Sequence, residues 1–174
     1  MKNILITGQS GTGKTLLIKK LADIFKEFNP QGFLTLELKE EAIVTGFGVI
    51  SLSGESKIIS HPGLKSKHAV GKFRIDLKGF ETFLSNAFTK DRKTGLYFID
   101  EIGKVECQSK KFCRLVIELF SSDQPVIASM ADKGSAFIQE IKKRDDIQLV
   151  ELTVENRDQL IKELTMEIRD LLLE

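Results

Sequence analysis

The spacing of apolar positions along this chain changes several times, and each change marks an element. Ile4-Leu5-Ile6 is an unbroken apolar run of the kind that a strand buried on both faces shows. Leu17, Leu21, Ile24, Phe25 and Phe28 then recur at helical spacing. Asn29-Pro30-Gln31-Gly32 reads as a turn. Beyond it, Phe33 to Leu38, Ala42 to Leu52 and Lys57 to Ser60 are short β-rich runs with no room for crossover helices between them. Antiparallel pairing is therefore expected, with Ser53-Gly54-Glu55 as a hairpin turn.

The stretch His61 to Lys72 is polar and basic, with Lys65, Lys67 and Lys72; it reads as a solvated loop or as one that faces a substrate. A short strand, Phe73 to Ile75, leads to Asp76 as a helix N-cap. Phe80, Phe83, Leu84, Ala87 and Phe88 make an apolar helix face. A charged loop, Asp91 to Gly95, precedes Leu96-Tyr97-Phe98-Ile99, a run typical of a buried parallel strand that ends in Asp100-Glu101. Helix, strand, helix, strand and helix follow: Lys110 to Phe120, Val126 to Ser129, a Ser135-capped segment to Lys143, Ile147 to Leu152, and a last helix opened by Thr153 to Arg157. Alternation of this kind predicts an α/β fold with a mostly parallel sheet and helices on both faces. It is one domain over residues 1–174, with an antiparallel β-hairpin region inserted at about 32–75.

Composition narrows the partners. A formal net charge of +1 over 174 residues supplies no global basic field, so no nucleic acid is expected as a partner. There is no 18-residue apolar span and no signal-peptide pattern, and the chain opens on a core strand; no membrane partner and a cytoplasmic location are the expectations. Cys107 and Cys113, six apart, match neither a redox pair nor a zinc knuckle and are expected to be reduced thiols.

Chemistry enters at Gly8-Gln9-Ser10-Gly11-Thr12-Gly13-Lys14-Thr15, which fits G-x-x-x-x-G-K-[ST] at every position. Its glycines let successive N–H groups converge on a phosphate, and the helix that follows adds its unpaired N–H groups and positive dipole end. Lys14 supplies a point charge to the outer phosphates, and the Thr15 hydroxyl can ligate Mg²⁺. Asp100, at the carboxyl end of a later strand, is the expected second Mg²⁺ ligand. Glu101, next to it, is either a second carboxylate of the nucleotide site or a solvated surface acid.

From Asp100-Glu101-Ile102-Gly103-Lys104-Val105-Glu106 the chain resembles the small P-loop nucleoside-triphosphatase family of thermophilic prokaryotes, called cancer-related nucleoside-triphosphatase in animals. The resemblance runs almost end to end, through Gly32-Phe33, Gly46-Phe47, Leu52-Ser53-Gly54, Val70-Gly71-Lys72-Phe73, Ile141-Lys142-Lys143-Arg144, Leu152-Thr153 and Glu155-Asn156-Arg157-Asp158. It implies a RecA-like fold and slow, Mg²⁺-dependent hydrolysis of several nucleoside triphosphates. The chain departs from the family at Lys39, Val44 and Ala69, where arginine is usual, and at Ser129-Met130-Ala131-Asp132, where the family tends to a Thr-Ile-Pro-like string. Lys39, Lys67 or Lys72 would restore charge there but not arginine's bidentate fork.

The expected reaction is hydrolysis of a nucleoside triphosphate to diphosphate and phosphate. The P-loop N–H groups and Lys14 spread the developing charge, and Glu101 orients and deprotonates water. Arg144 and Arg157 are the candidates for an arginine finger. Asn156 and Arg157, beyond the last strand, are placed to meet base or ribose, or else to pack at a helix start. The main alternative is a nucleotide or nucleoside kinase that passes the γ-phosphate to a small acceptor, although six scattered arginines do not suggest an arginine-bearing lid. A third possibility is a switch or nucleic-acid remodeller that hydrolysis resets.

Overall fold

A computed structural model describes residues 1–89, 91 and 93–173. Arg92, in the charged loop read at 91–95, lies outside the described residues. Nine strands form one sheet among them: β1 (Asn3–Thr7), β2 (Gln31–Glu40), β3 (Ile43–Ser51), β4 (Ser56–His61), β5 (Ala69–Val70), β6 (Phe73–Ile75), β7 (Tyr97–Ile102), β8 (Val126–Met130) and β9 (Ile147–Glu151). Their spatial order is β5-β6-β4-β3-β2-β7-β8-β1-β9. From β2 to β9 the neighbours are parallel. From β2 outward through β3, β4, β6 and β5 they are antiparallel, as the short spacings required.

The alternation along β1 splits the core in two. Ile4 and Ile6 pack with Leu17, Ile18 and Leu21 of α1 (Lys14–Ile24) and Leu160, Leu164 and Ile168 of α5 (Arg157–Leu173). Leu5 faces the other layer, with Phe80 and Phe83 of α2 (Leu77–Ala87), Phe112 and Val116 of α3 (Lys110–Phe120) and Ile138 of α4 (Ala136–Lys142). Phe33 centres that second core, edge-on to Phe80, Phe83, Phe88 and Phe112 with ring centroids 6.0–6.1 Å apart. The expected face of α1 needs one correction: Ile24 is 41% exposed, and Ile18 and Ala22 take the buried positions. The helix bends into a short 3₁₀ turn at Lys26–Phe28, which breaks the period there.

The turn expected at 29–32 is shorter than read. β2 already starts at Gln31, and Gly32 lies inside it at φ 147°. A Cβ on Gly32 would stand 1.8 Å from the Phe98 carbonyl oxygen, so only glycine lets β2 approach β7 this closely. Gly32→Ala is therefore expected to cost at least ~3 kcal/mol in denaturant unfolding; a loss under ~1 kcal/mol would mean the strands are not so close. At the other end of β2, Glu41 (φ 47°) and Ala42 (φ 67°) form a two-residue left-handed hairpin turn into β3. Asp76 caps α2 as expected, its Oδ1 accepting from the Gly79 N–H at 2.8 Å. Ser135 stands at the start of α4 but makes no side-chain cap bond.

Candidate active site

The loop Gly8 to Gly13 joins β1 to α1 at the carboxyl end of the parallel strands. Gly8, Gly11 and Gly13 take φ values of 142°, 83° and 100°. At Gly8 a side chain would also collide with the Leu152 carbonyl at 2.4 Å. The loop turns tightly on itself, with the Thr12 hydroxyl donating to the Gln9 carbonyl at 2.9 Å. α2 and α3 have their first N–H groups capped by Asp76 and Ser109, whereas α1 has no side-chain cap and no acid in its first turn. Its start thus keeps free donors and an uncompensated positive dipole end, which suits an anion. Lys14 is only 8% exposed, and its Nζ donates to the carbonyls of Gly8 (2.7 Å) and Gln9 (3.1 Å), which hold the ammonium over the loop.

The acids sit on β7, which runs on through Ile102 rather than stopping at Ile99. β8 lies between β7 and β1. Ser129 of β8 donates to the Asp100 carboxylate, the Thr35 N–H of β2 donates to it at 3.2 Å, and the Thr35 hydroxyl donates to the Asp100 carbonyl. Asp100 is fully buried. Burial pushes its pKa up, while hydrogen bonds from Ser129, Thr15 and the Thr35 backbone and the charge of Lys14 pull it down. No Lys or Arg pairs with this carboxylate at ion-pair distance among the described residues. A buried carboxylate beside the Thr15 hydroxyl is an all-oxygen donor pair, and Mg²⁺ takes few protein oxygens and keeps its waters.

Glu101 is half-buried and lines a cavity of about 750 Å³ together with Ser10, Gly11, Gly13, Lys14 and Thr15. Burial raises its pKa first, then the charge of Asp100; Lys14 opposes and Glu37 adds to the rise. Such a shift moves a carboxylate toward the range where a general base works near neutral pH. The fold thus brings Lys14, Thr15, Asp100 and Glu101 together.

Other expected residues fare differently. Arg144 precedes β9 and is bound to Asp146 by two hydrogen bonds (2.8 and 2.6 Å), with its guanidinium over the Phe120 ring. It belongs to the amino end of the strands, where Asn3 pairs with Ile147, and is therefore not a finger for this P-loop within the chain. Asn156 takes up the second of its two readings, packing at a helix start. Its amide oxygen accepts from the Thr153 N–H and its nitrogen donates to the Glu151 carbonyl, both at 2.8 Å, so it closes the turn before α5. Arg157 remains beside the loop: its Cδ and Nη1 lie 3.4 Å from where a Gly13 Cβ would be. Lys65 and Lys67 line a separate hollow with Asp76, Leu77 and Lys78, away from the P-loop. Lys39 pairs with Glu37 at 3.1 Å and faces Val44 across the β2–β3 hairpin.

Sequence reasoning missed Ser129, Thr35, Lys104, Lys133 and Glu106. Lys104, Lys133 and Glu106 line the cavity with Glu101, and the place of Glu106 in the Asp-Glu-Ile-Gly-Lys-Val-Glu string was the available signal. Cys107 and Cys113 are free thiols, as expected. No helix among the described residues is long and apolar enough to cross a membrane.

Comparison with known proteins agrees with the geometry. A family model described as NTPase matches residues 3–165. Over 165 residues the chain is 39% identical to nucleoside-triphosphatase THEP1 of Thermotoga maritima, with 92% of each chain covered. It is 32% identical over 182 residues to the human cancer-related nucleoside-triphosphatase, covering 94% of each. The crystal structure of THEP1 from Aquifex aeolicus superposes with a TM-score of 0.84 at 31% identity, over 95% of this chain and 98% of that one. A glycine loop facing two acids of β7, on a fold shared over nearly the whole chain with these proteins, places this chain in the NTPase family.

Proposed function

We propose that this protein hydrolyses nucleoside 5′-triphosphates, ATP and GTP among them, to the diphosphate and phosphate with Mg²⁺. The observation that carries this reading is the single cavity in which the P-loop, with Lys14 and Thr15, faces the Glu101 carboxyl. Thr15 and Asp100 would hold Mg²⁺, which supplies neutralising charge at the outer phosphates. The Gly8 to Gly13 N–H groups and Lys14 bind and orient the phosphates and oppose the charge that develops on their oxygens. Glu101 orients a water and accepts its proton. Lys104 and Lys133, which line the same cavity, add cationic charge without a bidentate fork.

Purified protein should release phosphate from a panel of nucleoside triphosphates when Mg²⁺ is added and no acceptor is present. Release that depends on an added nucleoside or nucleotide would favour the kinase instead. One observation favours that second reading: Leu36 and Phe47 also line the cavity, and such side chains suit an acceptor's ring.

Arg157 is read as a contact to base or ribose. Arg157→Ala should raise KM more than it lowers kcat and reorder the preferred bases, because such a contact binds ground and transition states alike. Collapse of kcat at unchanged KM would make it the arginine finger. Asn156→Ala should leave KM unchanged and cost ~1–2 kcal/mol of stability through the lost turn.

A further inference from the structure

We propose that Glu106 is a positioning residue for Glu101: its buried carboxyl, set across Gly103 from the Glu101 carboxyl, holds that group in place by donating a hydrogen bond to it. The role rests on Glu101 being the water-activating residue. A Cβ added at Gly103 would stand 2.9 Å from Glu101 Oε1 and 2.9 Å from Glu106 Oε2, so the two carboxyls crowd the same small space. Only glycine at 103 leaves room for both.

Two neighbouring carboxyls cannot both ionise cheaply, and the more buried one keeps the proton. Glu106 is 4% exposed, whereas Glu101 is half-buried. Burial does most to push the Glu106 pKa up to about 8; its own backbone N–H opposes, the charges of Glu101 and Asp100 add, and the Gly103 N–H opposes again. A neutral carboxyl has an O–H to donate, and the Glu101 carboxyl offers acceptor oxygens on the other side of Gly103. The other ionisable groups on this cavity's wall are Lys14, Lys19, Glu37, Lys104 and Lys133, and the Cys107 thiol adjoins it in the chain.

The Glu106 carboxyl takes the Gly103 N–H, but the turn after it closes without the side chain. The 3₁₀ turn Glu106–Gln108 is closed by the Cys107 N–H to the Gly103 carbonyl (3.0 Å) and the Ser109 N–H to the Glu106 carbonyl (3.1 Å). A leucine of similar size would fill the space but leave the Gly103 N–H without this acceptor, whereas a glutamine keeps one.

The test compares wild type, Glu106→Gln, Glu106→Leu and Glu101→Gln in Mg-ATP turnover from about pH 6 to about pH 9.5, with melting temperatures alongside. Glu106→Leu should keep its KM, melt somewhat lower for the lost Gly103 N–H bond, and lose at least ~10-fold in kcat. Glu106→Gln, whose amide can donate in the same place, should stay within ~3-fold of wild type. Wild-type kcat should decline above about 8 as Glu106 ionises, and the Gln variant should not follow it. A Leu variant at wild-type kcat, or a Gln variant as slow as the Leu variant, overturns the proposal. If the Leu variant does not fold, matching alkaline limbs in wild type and Glu106→Gln overturn it. The two failures separate cleanly: Glu101→Gln at wild-type rate removes the base assignment, whereas a slow Glu101→Gln beside a fast Glu106→Leu removes only the positioning role.

Discussion

Lys14→Ala is expected to abolish hydrolysis and to weaken triphosphate binding strongly. The side chain is 8% exposed, and its ammonium is held over the phosphate loop by the Gly8 and Gln9 carbonyls. An ammonium fixed in this way needs no reorganisation when charge shifts onto phosphate oxygens, which is where fixed donors are worth most. Loss of one such donor typically costs ~3–4 kcal/mol at the transition state, or ~10²–10³ in rate, and here a full charge goes with it. Calorimetric titration with Mg-ATP and single-turnover phosphate release would measure the two losses. The melting temperature should change little, because the ammonium's hydrogen bonds go to its own loop. Near-normal turnover in the variant would remove the P-loop from the mechanism.

Glu101→Gln should separate binding from chemistry. The amide keeps the shape and one acceptor of the carboxylate but cannot take a proton from water. The Gln variant should therefore bind Mg-ATP about as well as wild type, while single-turnover hydrolysis falls at least ~10²-fold. Equal losses in affinity and rate would point to a structural or metal role instead. An unchanged rate would leave Glu101 as an acid on the cavity wall. Because Asp100 already raises the Glu101 pKa, Asp100 variants would disturb metal and base together and are a poorer test.

What could be read from the sequence is what neighbouring residues decide among themselves. The P-loop is one continuous stretch whose glycines dictate its backbone, so Gly8 to Thr15 was legible in full. The Asp76 cap and the split between parallel ends and an antiparallel insertion were legible for the same reason: turns, caps and crossovers have fixed local lengths. Tertiary structure decided the rest. It inserted β8 between the P-loop strand and the acid strand, and so put Ser129 against Asp100. It sent Arg144 to Asp146 at the amino end of the sheet and spent the Asn156 amide on a turn. It turned Glu106 inward to face Glu101 across Gly103, at a position that reads in sequence as an ordinary loop acid. These placements follow from strand order and burial, which are settled by contacts far apart in the chain. A charged residue's role depends on which partner and how little water it meets there, and neither is written in its neighbours.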